Sequence, residues 1–203
     1  MNTNLGIPMG NDFLAKLKNH SAGAHKKLEN LPISKSILSP HMKLSDYRHY
    51  LSLMFDVHKN MEADMYPILY NIISDLRQRQ KTHLITNDLL FLKYVKDKSV
   101  TIFKVNEVTI SFALGMLYVV EGSSLGGRYI LKNVEKISGL DNKKGVSYFT
   151  GYGEHTYDYW DVFINKLKAY EQQHNCADEI IAGAIYAFES IYDHFLNTAK
   201  NEN

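Results

Sequence analysis

The sequence predicts an all-α protein that forms a single domain. Its 203 residues include only four prolines, and clusters of turn-forming residues are few. Between these clusters, apolar residues recur at spacings of three and four, which is typical of amphipathic helices. A chain of this length can bury a substantial core as one unit. No repeat or change in composition divides it, so we expect one domain over residues 1–203, with weakly ordered ends at 1–10 and 200–203.

The first helix is predicted to begin at Asn11 and Asp12, since both residue types are favourable N-caps. It should end before Pro32, because the residue that precedes a proline disfavours the α conformation. A connector that contains Ser39-Pro40 is expected to follow. The apolar face of this helix has 3–4 spacing and comprises Phe13, Leu14, Leu17, Ser21, Ala24 and Leu28.

A second helix is predicted after Ser45 or Asp46, either of which can cap it. Pro67 should kink or split this helix, because proline cannot donate a backbone hydrogen bond. The polar residues 78–86 are then expected to form a loop, followed by a short helix over residues 87–95. The apolar face of the second helix comprises Tyr47, Tyr50, Leu51, Met54, Val57, Met61 and Met65.

The second half of the chain predicts three more helices. Helical periodicity covers residues 106–137, and Ser138-Gly139 is a suitable end. Residues 140–154, LDNKKGVSYFTGYGE, are rich in glycine but contain aromatic residues that need burial, so we expect an ordered loop. The last two helices are predicted at residues 155–172 and 176–199.

Three glycines interrupt the helix predicted over residues 106–137. Gly122, Gly126 and Gly127 lie within six positions of YVVEGSSLGGRY. Glycine inside a helix costs roughly 0.8–1 kcal/mol relative to alanine, so an offset is needed. The usual offset is the close approach of a flat group or of another backbone, which a Cβ atom would prevent. A tight crossing with another helix explains the segment equally well.

His25 and Glu29 form a second candidate feature on the first helix. They are four residues apart, so their side chains can meet on one face of the helix. A histidine that binds a metal needs such a partner to hold its other ring nitrogen. A buried or boundary histidine without any ligand is the alternative interpretation.

Composition excludes several classes of function. The formal net charge is +1, and no basic run with interleaved aromatic residues indicates nucleic-acid binding. The polar N-terminus does not have the pattern of a signal peptide, and no apolar run reaches 18 residues, so we expect no membrane span. The single cysteine, Cys176, cannot form an internal disulfide and suits a reducing cytoplasm.

Four segments, in order, resemble the heme oxygenases, particularly the compact bacterial type associated with bacteriophytochromes. AHKKLENLP, which contains His25 and Glu29, resembles the proximal-helix motif. GMLYVVEGSSLGGRYI resembles the distal helix of the bacterial group nearly residue for residue. FTGYGEHTYDYWDVFINKL and AIYAFESIYDHFL resemble the segment that runs from a glycine-rich loop into a helix and the closing helix.

This resemblance implies a bundle that holds heme between a proximal N-terminal helix and a distal helix kinked at its glycines. His25 would bind the iron as its metal ligand, with Glu29 as its partner. Gly122, Gly126 and Gly127 would lie against the porphyrin. The implied reaction opens heme to biliverdin and releases carbon monoxide and ferrous iron. Dioxygen is consumed, and electrons come from a ferredoxin- or flavodoxin-type donor, because no Rossmann fingerprint is present.

The implied catalytic residues are Gly122, Ser123 and Gly126. Animal-type members have an aspartate where this chain has Ser123, although the bacterial group lacks that aspartate too. Ser123 either belongs to a proton-delivery network or bonds back to its own helix. His58 belongs to that network or is a boundary histidine. The heme propionates would pair with cations, for which Arg128, in place of the usual glutamine, and Lys18 are candidates.

Two other functions fit the same fold. A heme carrier or sensor would bind heme without opening the ring. A non-heme member would need a cluster of inward-facing carboxylates and histidines, or a nucleophilic cysteine. The candidates for such chemistry are Glu62, Asp64, Asp178, Asp193, His194 and Cys176.

Overall fold

The computed structural model describes residues 12–96, 98–137, 140 and 144–201, without the side chains of Asp12 and residues 199–201. Within these residues every regular element is helical, which confirms the predicted all-α fold. The predicted weak order of residues 1–10, 202 and 203 lies outside the described residues.

The helices are numbered in chain order. They are α1 Asp12–Glu29, α2 Pro32–Leu38, α3 Leu44–Asn60, α4 Tyr66–Leu69, α5 Leu76–Arg79, α6 Thr82–Phe91, α7 Ile110–Val134, α8 Ser147–Thr150, α9 Thr156–His174 and α10 Ala177–Asn201. A π-helical turn, Met61–Met65, joins α3 to α4, and a 3₁₀ turn, Gly153–His155, precedes α9.

The first helix ends before Pro32, as predicted, but the expected connector contains a helix. Leu31 has an extended conformation, and Pro32 opens α2 in its first turn. Proline is well suited to that position because its missing N–H would have no partner inside the helix. Ile37 then carries α2 into the core.

Capping and proline effects shape α3. The helix begins one residue before Ser45, and the carboxylate of Asp46 accepts a hydrogen bond from the backbone N–H of Lys43 at 3.1 Å. Asp46 therefore stabilises the start of α3 from inside the first turn and not as its N-cap. The regular helix gives way to the π-helical turn just before Pro67, in agreement with the predicted interruption.

The prediction of a loop over residues 78–86 is wrong. This stretch contains the end of α5 and the first half of α6, and both Arg79 and Lys81 are buried. Glu62 caps α6, since its Oε1 atom accepts hydrogen bonds from the backbone N–H groups of Lys81 and Thr82 at 2.6 and 2.9 Å. The short helix predicted over 87–95 accordingly begins earlier, at Thr82, and ends at Phe91.

Helices α7 and α10 form the centre of the bundle and cross at two glycines. A Cβ atom on Gly115 would lie 1.9 Å from the carbonyl oxygen of Ile180. A Cβ atom on Gly183 would lie 2.1 Å from the carbonyl oxygen of Phe112. The two backbones are thus in direct contact, and only glycine allows this spacing. Helix α1 packs on α10, and α9 packs on α7.

Helix α7 begins at Ile110, where the hydroxyl of Thr109 accepts a hydrogen bond from the N–H of Phe112 at 3.2 Å. Ser138 and Gly139, its predicted end, lie outside the described residues. The aromatic residues Tyr148 and Phe149 of the following connector are buried, as predicted, and part of that connector forms α8. Helices α9 and α10 lie where the sequence predicts them.

One described helix, α7, is long and apolar enough to cross a membrane by length and composition. In its most apolar window, 56% of the residues are buried within the bundle. Packing against α10 accounts for this apolar character, since core helices pass the same test.

Candidate functional site

His25 lies on the exposed side of α1 and is held by two neighbours. Its Nε2 atom is 3.3 Å from Oε1 of Glu29, so the predicted pair on one helix face is present. Its ring stacks on Phe188 of α10, with 4.9 Å between ring centroids and 28° between ring planes. The side chain is nevertheless 53% exposed. His25 is therefore an oriented imidazole that a ligand can reach.

The three glycines of the YVVEGSSLGGRY segment have different surroundings. A Cβ atom on Gly122 would lie 3.6 Å from the Trp160 ring, an ordinary contact distance. On Gly127 it would meet the Phe149 ring at 3.3 Å. On Gly126 it would meet nothing within 4 Å. The tight helix crossing that could explain this segment occurs instead at Gly115, so open space remains beside Gly126.

His58 is buried in the core, so it does not lie at the boundary as the second alternative has it. Only 1% of the residue is exposed, and its Nε2 atom is 3.1 Å from the hydroxyl of Tyr148. Burial, reinforced by the positive charge of Lys81, holds the pKa of His58 well below its ordinary value. The imidazole is therefore neutral at physiological pH, and His58 and Tyr148 form a buried polar pair.

Ser123 connects this pair to α7. Its hydroxyl donates to the carbonyl oxygen of Val120 at 2.7 Å, the bond back to its own helix that was one of the two alternatives. It also lies close enough to the Tyr148 hydroxyl to influence the phenol pKa by hydrogen bonding. Ser123 is exposed on the same side of α7 as Gly126. The order His58, Tyr148, Ser123 thus runs from the core to the open side of the helix.

A small cavity lies against this side of α7. Its volume, measured as the space open to the centre of a water molecule, is about 20 Å³, which is enough for one water. Its polar lining includes Lys81, Ser123, Ser124, Tyr148 and Tyr152.

A buried ion pair holds α7 immediately before Gly122. Arg79 is fully buried, and one of its terminal nitrogens donates to Oε2 of Glu121 at 2.6 Å. The other donates to Oδ2 of Asp75 at 2.8 Å and to the carbonyl oxygen of Tyr159 at 3.0 Å. The hydroxyl of Tyr152 donates to both carboxylate oxygens of Glu121, at 3.1 and 2.9 Å. Every charge of the cluster therefore has a partner.

Sequence reasoning missed Arg79 and Lys81, since both lie in the segment predicted as a loop. A usable signal was present: Glu121 interrupts an apolar run in a core helix, and a buried carboxylate requires a buried cation.

The predicted propionate partners lie at the surface. Lys18 is exposed on α1, and Arg128 is exposed on α7 with its guanidinium 5.5 Å from the centre of the Tyr157 ring. Within the residues that the structure describes, no three histidine, cysteine or carboxylate side chains lie together as a metal site would require. His194 pairs with Asp56, with Nε2 and Oδ2 3.1 Å apart, and Glu62 caps α6, so two candidates for a non-heme metal site have structural roles.

The family model for heme oxygenase matches residues 11–197 of the chain. A comparison with curated proteins gives no match. Among solved structures, the NO- and CO-bound heme oxygenase of Neisseria meningitidis is 26% identical, with a TM-score of 0.74, and the match covers 92% of this chain and 91% of that one.

Two further structures are similar in fold. The heme oxygenase of Leptospira interrogans is 16% identical with a TM-score of 0.77, covering 91% of this chain and 98% of that one. Heme oxygenase-1 of the cyanobacterium Synechocystis sp. PCC6803, solved in complex with heme, is 18% identical with a TM-score of 0.69, covering 93% of each chain.

Proposed function

Because the chain belongs to the heme oxygenase family, we propose that it binds heme and opens its ring to biliverdin, with release of carbon monoxide and ferrous iron. The observation that carries this proposal is His25, an exposed imidazole oriented by Glu29 and Phe188. Glu29 contacts the Nε2 atom of His25, which leaves the Nδ1 atom for the iron. A neutral histidine ligand suits this chemistry better than a thiolate, which favours O–O cleavage.

The surroundings of α7 fit a large flat substrate. Open space beside Gly126 leaves room for the porphyrin face, and a side chain there would occupy that room. Gly122 adds no bulk beside Trp160 and lets the helix backbone border the substrate. We propose that the backbone at Gly122 and Gly126 limits the space available to dioxygen and so directs the reaction toward one edge of the ring.

Bound heme would supply the iron that binds dioxygen and is itself the molecule whose ring is opened. The chain would supply protons to the bound oxygen through hydroxyl groups. Ser123 is placed to hold a water molecule on the open side of α7, and Tyr148 and His58 continue the polar path behind it. Such transfer requires groups within hydrogen-bond reach, directly or through one water.

The remaining partners follow from the substrate. Lys18 and Arg128 are proposed to pair with the propionates, since both are exposed cations on the two helices concerned. A ferredoxin- or flavodoxin-type protein is proposed as the electron donor, and the cytoplasm as the site of the reaction.

The test is to add hemin to the purified protein, supply electrons from a ferredoxin–reductase couple in air, and record the Soret and bilin bands. Loss of the Soret band with formation of biliverdin supports the oxygenase. A stable Soret complex without any bilin would instead identify a heme carrier or sensor. Failure to form a Soret complex would contradict heme binding itself.

A further inference from the structure

Trp160 of α9, the only tryptophan of the chain, packs on the part of α7 that carries the glycines. Its ring is tilted on the ring of Tyr118, with 5.5 Å between the ring centroids. A Cβ atom on Gly122 would lie 3.6 Å from the same indole, which is van der Waals contact. Tyr118 and Gly122 are four residues apart and therefore lie on one face of α7, so the indole covers a full turn of that face.

The cover that Trp160 provides ends at Gly122. Gly126 is the next residue on the same face, about 6 Å further along the helix axis. A Cβ atom on Gly126 would meet nothing within 4 Å among the described residues. The indole of Trp160 therefore forms the border of the open space beside Gly126, the space that the proposed function gives to the porphyrin.

The backbone is fixed on both sides of this border. Arg79 is fully buried and donates hydrogen bonds to Oε2 of Glu121 at 2.6 Å and to the carbonyl oxygen of Tyr159 at 3.0 Å. Glu121 directly precedes Gly122, and Tyr159 directly precedes Trp160. One guanidinium thus ties the two contacting segments together next to the point where they touch.

The Trp160 side chain is itself held in place from the core. Its ring packs on that of Phe163, which is fully buried, with 5.9 Å between the ring centroids. An indole has few rotatable bonds and loses little conformational entropy when it is fixed. Trp160 is therefore a rigid apolar wall and not a side chain that yields to a ligand.

We propose that Trp160 is a specificity-determining residue of the heme oxygenase reaction: one edge of the porphyrin rests against its indole, and this contact selects a single orientation of heme in the site. This inference rests on the proposed function. A bond from His25 to the iron does not fix how the ring is turned in its own plane, whereas a wall at one edge does. The indole would face the apolar methyl and vinyl groups, since a propionate there would lose its hydration without gaining a cation.

The experiment uses the full-length chain loaded with ferric heme. The hyperfine-shifted ¹H signals of the heme methyl groups report the orientation of the ring independently of turnover, and the wild type should show one dominant set. Trp160→Ala is expected to change the ratio of the two most populated orientations by about tenfold or more, because an apolar contact at one edge is lost. Trp160→Phe should restore most of the wild-type ratio, since phenylalanine retains a flat apolar ring.

Val162→Ala is the matched control, because Val162 lies on the same helix and is exposed to solvent. It should leave the methyl signals unchanged. Circular dichroism shows whether each variant folds. If Trp160→Ala does not fold, Trp160→Leu takes its place, because leucine keeps apolar volume against Tyr118 and Phe163 without the flat ring.

An unchanged ratio of orientations in the folded variant that lacks the indole would overturn the inference and leave the proposed function in place. Trp160 would then only pack α9 on α7. Two equally populated orientations in the wild type would overturn it as well. Failure of the wild type to form a Soret complex contradicts the proposed function instead, and the inference falls with it.

Discussion

His25 and His58 have the same side chain but different surroundings, and the surroundings decide which role each can take. His25 is half exposed and meets a carboxylate and an aromatic ring, whereas His58 is buried and meets a phenol. An exposed and oriented imidazole can take a ligand. A buried neutral imidazole cannot reach an external ligand, but it can organise hydrogen bonds. Both residues are histidines on amphipathic helices, so only the surrounding side chains distinguish them.

His25→Ala is expected to abolish the histidine-ligated ferric heme spectrum without unfolding the protein. The side chain is half exposed, so its loss should change the free energy of unfolding by less than about 1 kcal/mol. Heme titration followed by absorption spectroscopy, together with thermal unfolding, measures both effects. His41→Ala, at another exposed histidine, is the control. A His25→Ala spectrum identical to that of the wild type would contradict the proposed ligand.

Two glycines on α7 provide a matched pair. Gly126→Ala should stabilise the free protein by about 0.5–1 kcal/mol, because nothing lies near the new Cβ atom and alanine favours helix. Gly115→Ala should destabilise it by about 3 kcal/mol or more, since the Cβ atom would collide with the backbone of α10. Urea unfolding measures both changes.

The larger substitution Gly126→Leu tests the substrate site. It should weaken heme binding or turnover while the helical fold is retained, because leucine fills the space left open beside α7. Heme titration and circular dichroism give the two readouts. Normal affinity and normal turnover in this variant would show that Gly126 serves the helix alone.

At the scale of elements, one buried carboxylate ties an irregular segment to the bundle. Asp56 of α3 accepts hydrogen bonds from Lys96 Nζ at 2.8 Å and from the backbone N–H of Val100 at 3.0 Å. Asn60, one turn later, accepts a hydrogen bond from the N–H of Ile102 at 3.0 Å. His194 of α10 also contacts Asp56. The described part of the connection between α6 and α7, residues 92–96 and 98–109, is therefore held in place without regular secondary structure.

The Asp56 cluster predicts a pH dependence of stability. Burial alone would raise the pKa of Asp56, but hydrogen bonds from His194, Lys96 and Val100 outweigh it and hold the pKa below its ordinary value. The folded chain therefore binds fewer protons at this group than the unfolded chain does. Its contribution is fully present above the ordinary carboxyl pKa, near pH 4, and is lost as the pH falls through the lower folded pKa.

Asp56→Asn is accordingly expected to lower the free energy of unfolding by about 3 kcal/mol at pH 7. The difference from the wild type should narrow as the pH falls below about 4. Urea unfolding between pH 7 and 3 gives both quantities. Asp158→Asn changes an exposed carboxylate and should have an effect below about 0.5 kcal/mol at pH 7. A difference that does not vary with pH would contradict the role given to the ionised carboxylate.

At the scale of the whole molecule, Arg79 connects elements that are distant in sequence. Its guanidinium donates hydrogen bonds to α7 and α9, and its carbonyl oxygen accepts a hydrogen bond from Tyr66 of α4 at 3.3 Å.

Arg79→Met should lower the free energy of unfolding by about 3–5 kcal/mol, because Glu121 would remain as an unpaired buried charge. Combining it with Glu121→Met should cost less than the sum of the two single changes, a coupling that a double-mutant cycle of urea unfolding measures. Arg77→Met, at an exposed position, is the control, and additive effects would contradict the coupling.

The helices with clear apolar periodicity, α1, α3, α7, α9 and α10, could be predicted from the sequence because each buries one face. The short helices α2 and α5 could not, since their polar residues look like those of loops. Helix α6 was predicted only in its second half, because residues 78–86 are polar and look like a loop. The pair His25 and Glu29 was predictable from spacing along one helix. Lys81 and its neighbours were not, because α3, α6, α7 and α8 come together there only in the folded chain.

Helix α7 is secured unevenly along its length. From Ser111 to Glu121 most residues are buried, the tight crossing with α10 lies at Gly115, and Glu121 is held by Arg79. Beyond Gly122, burial within the helix is confined to Gly127, Ile130 and Val134. The helix is therefore held most firmly before Gly122, and Gly122 is the first position after this part at which it can bend. Entry of a wide, rigid molecule would displace the part of the helix beyond Gly122 and leave the part before it unmoved, so admission of the ligand and stability of the fold depend on different halves of one helix.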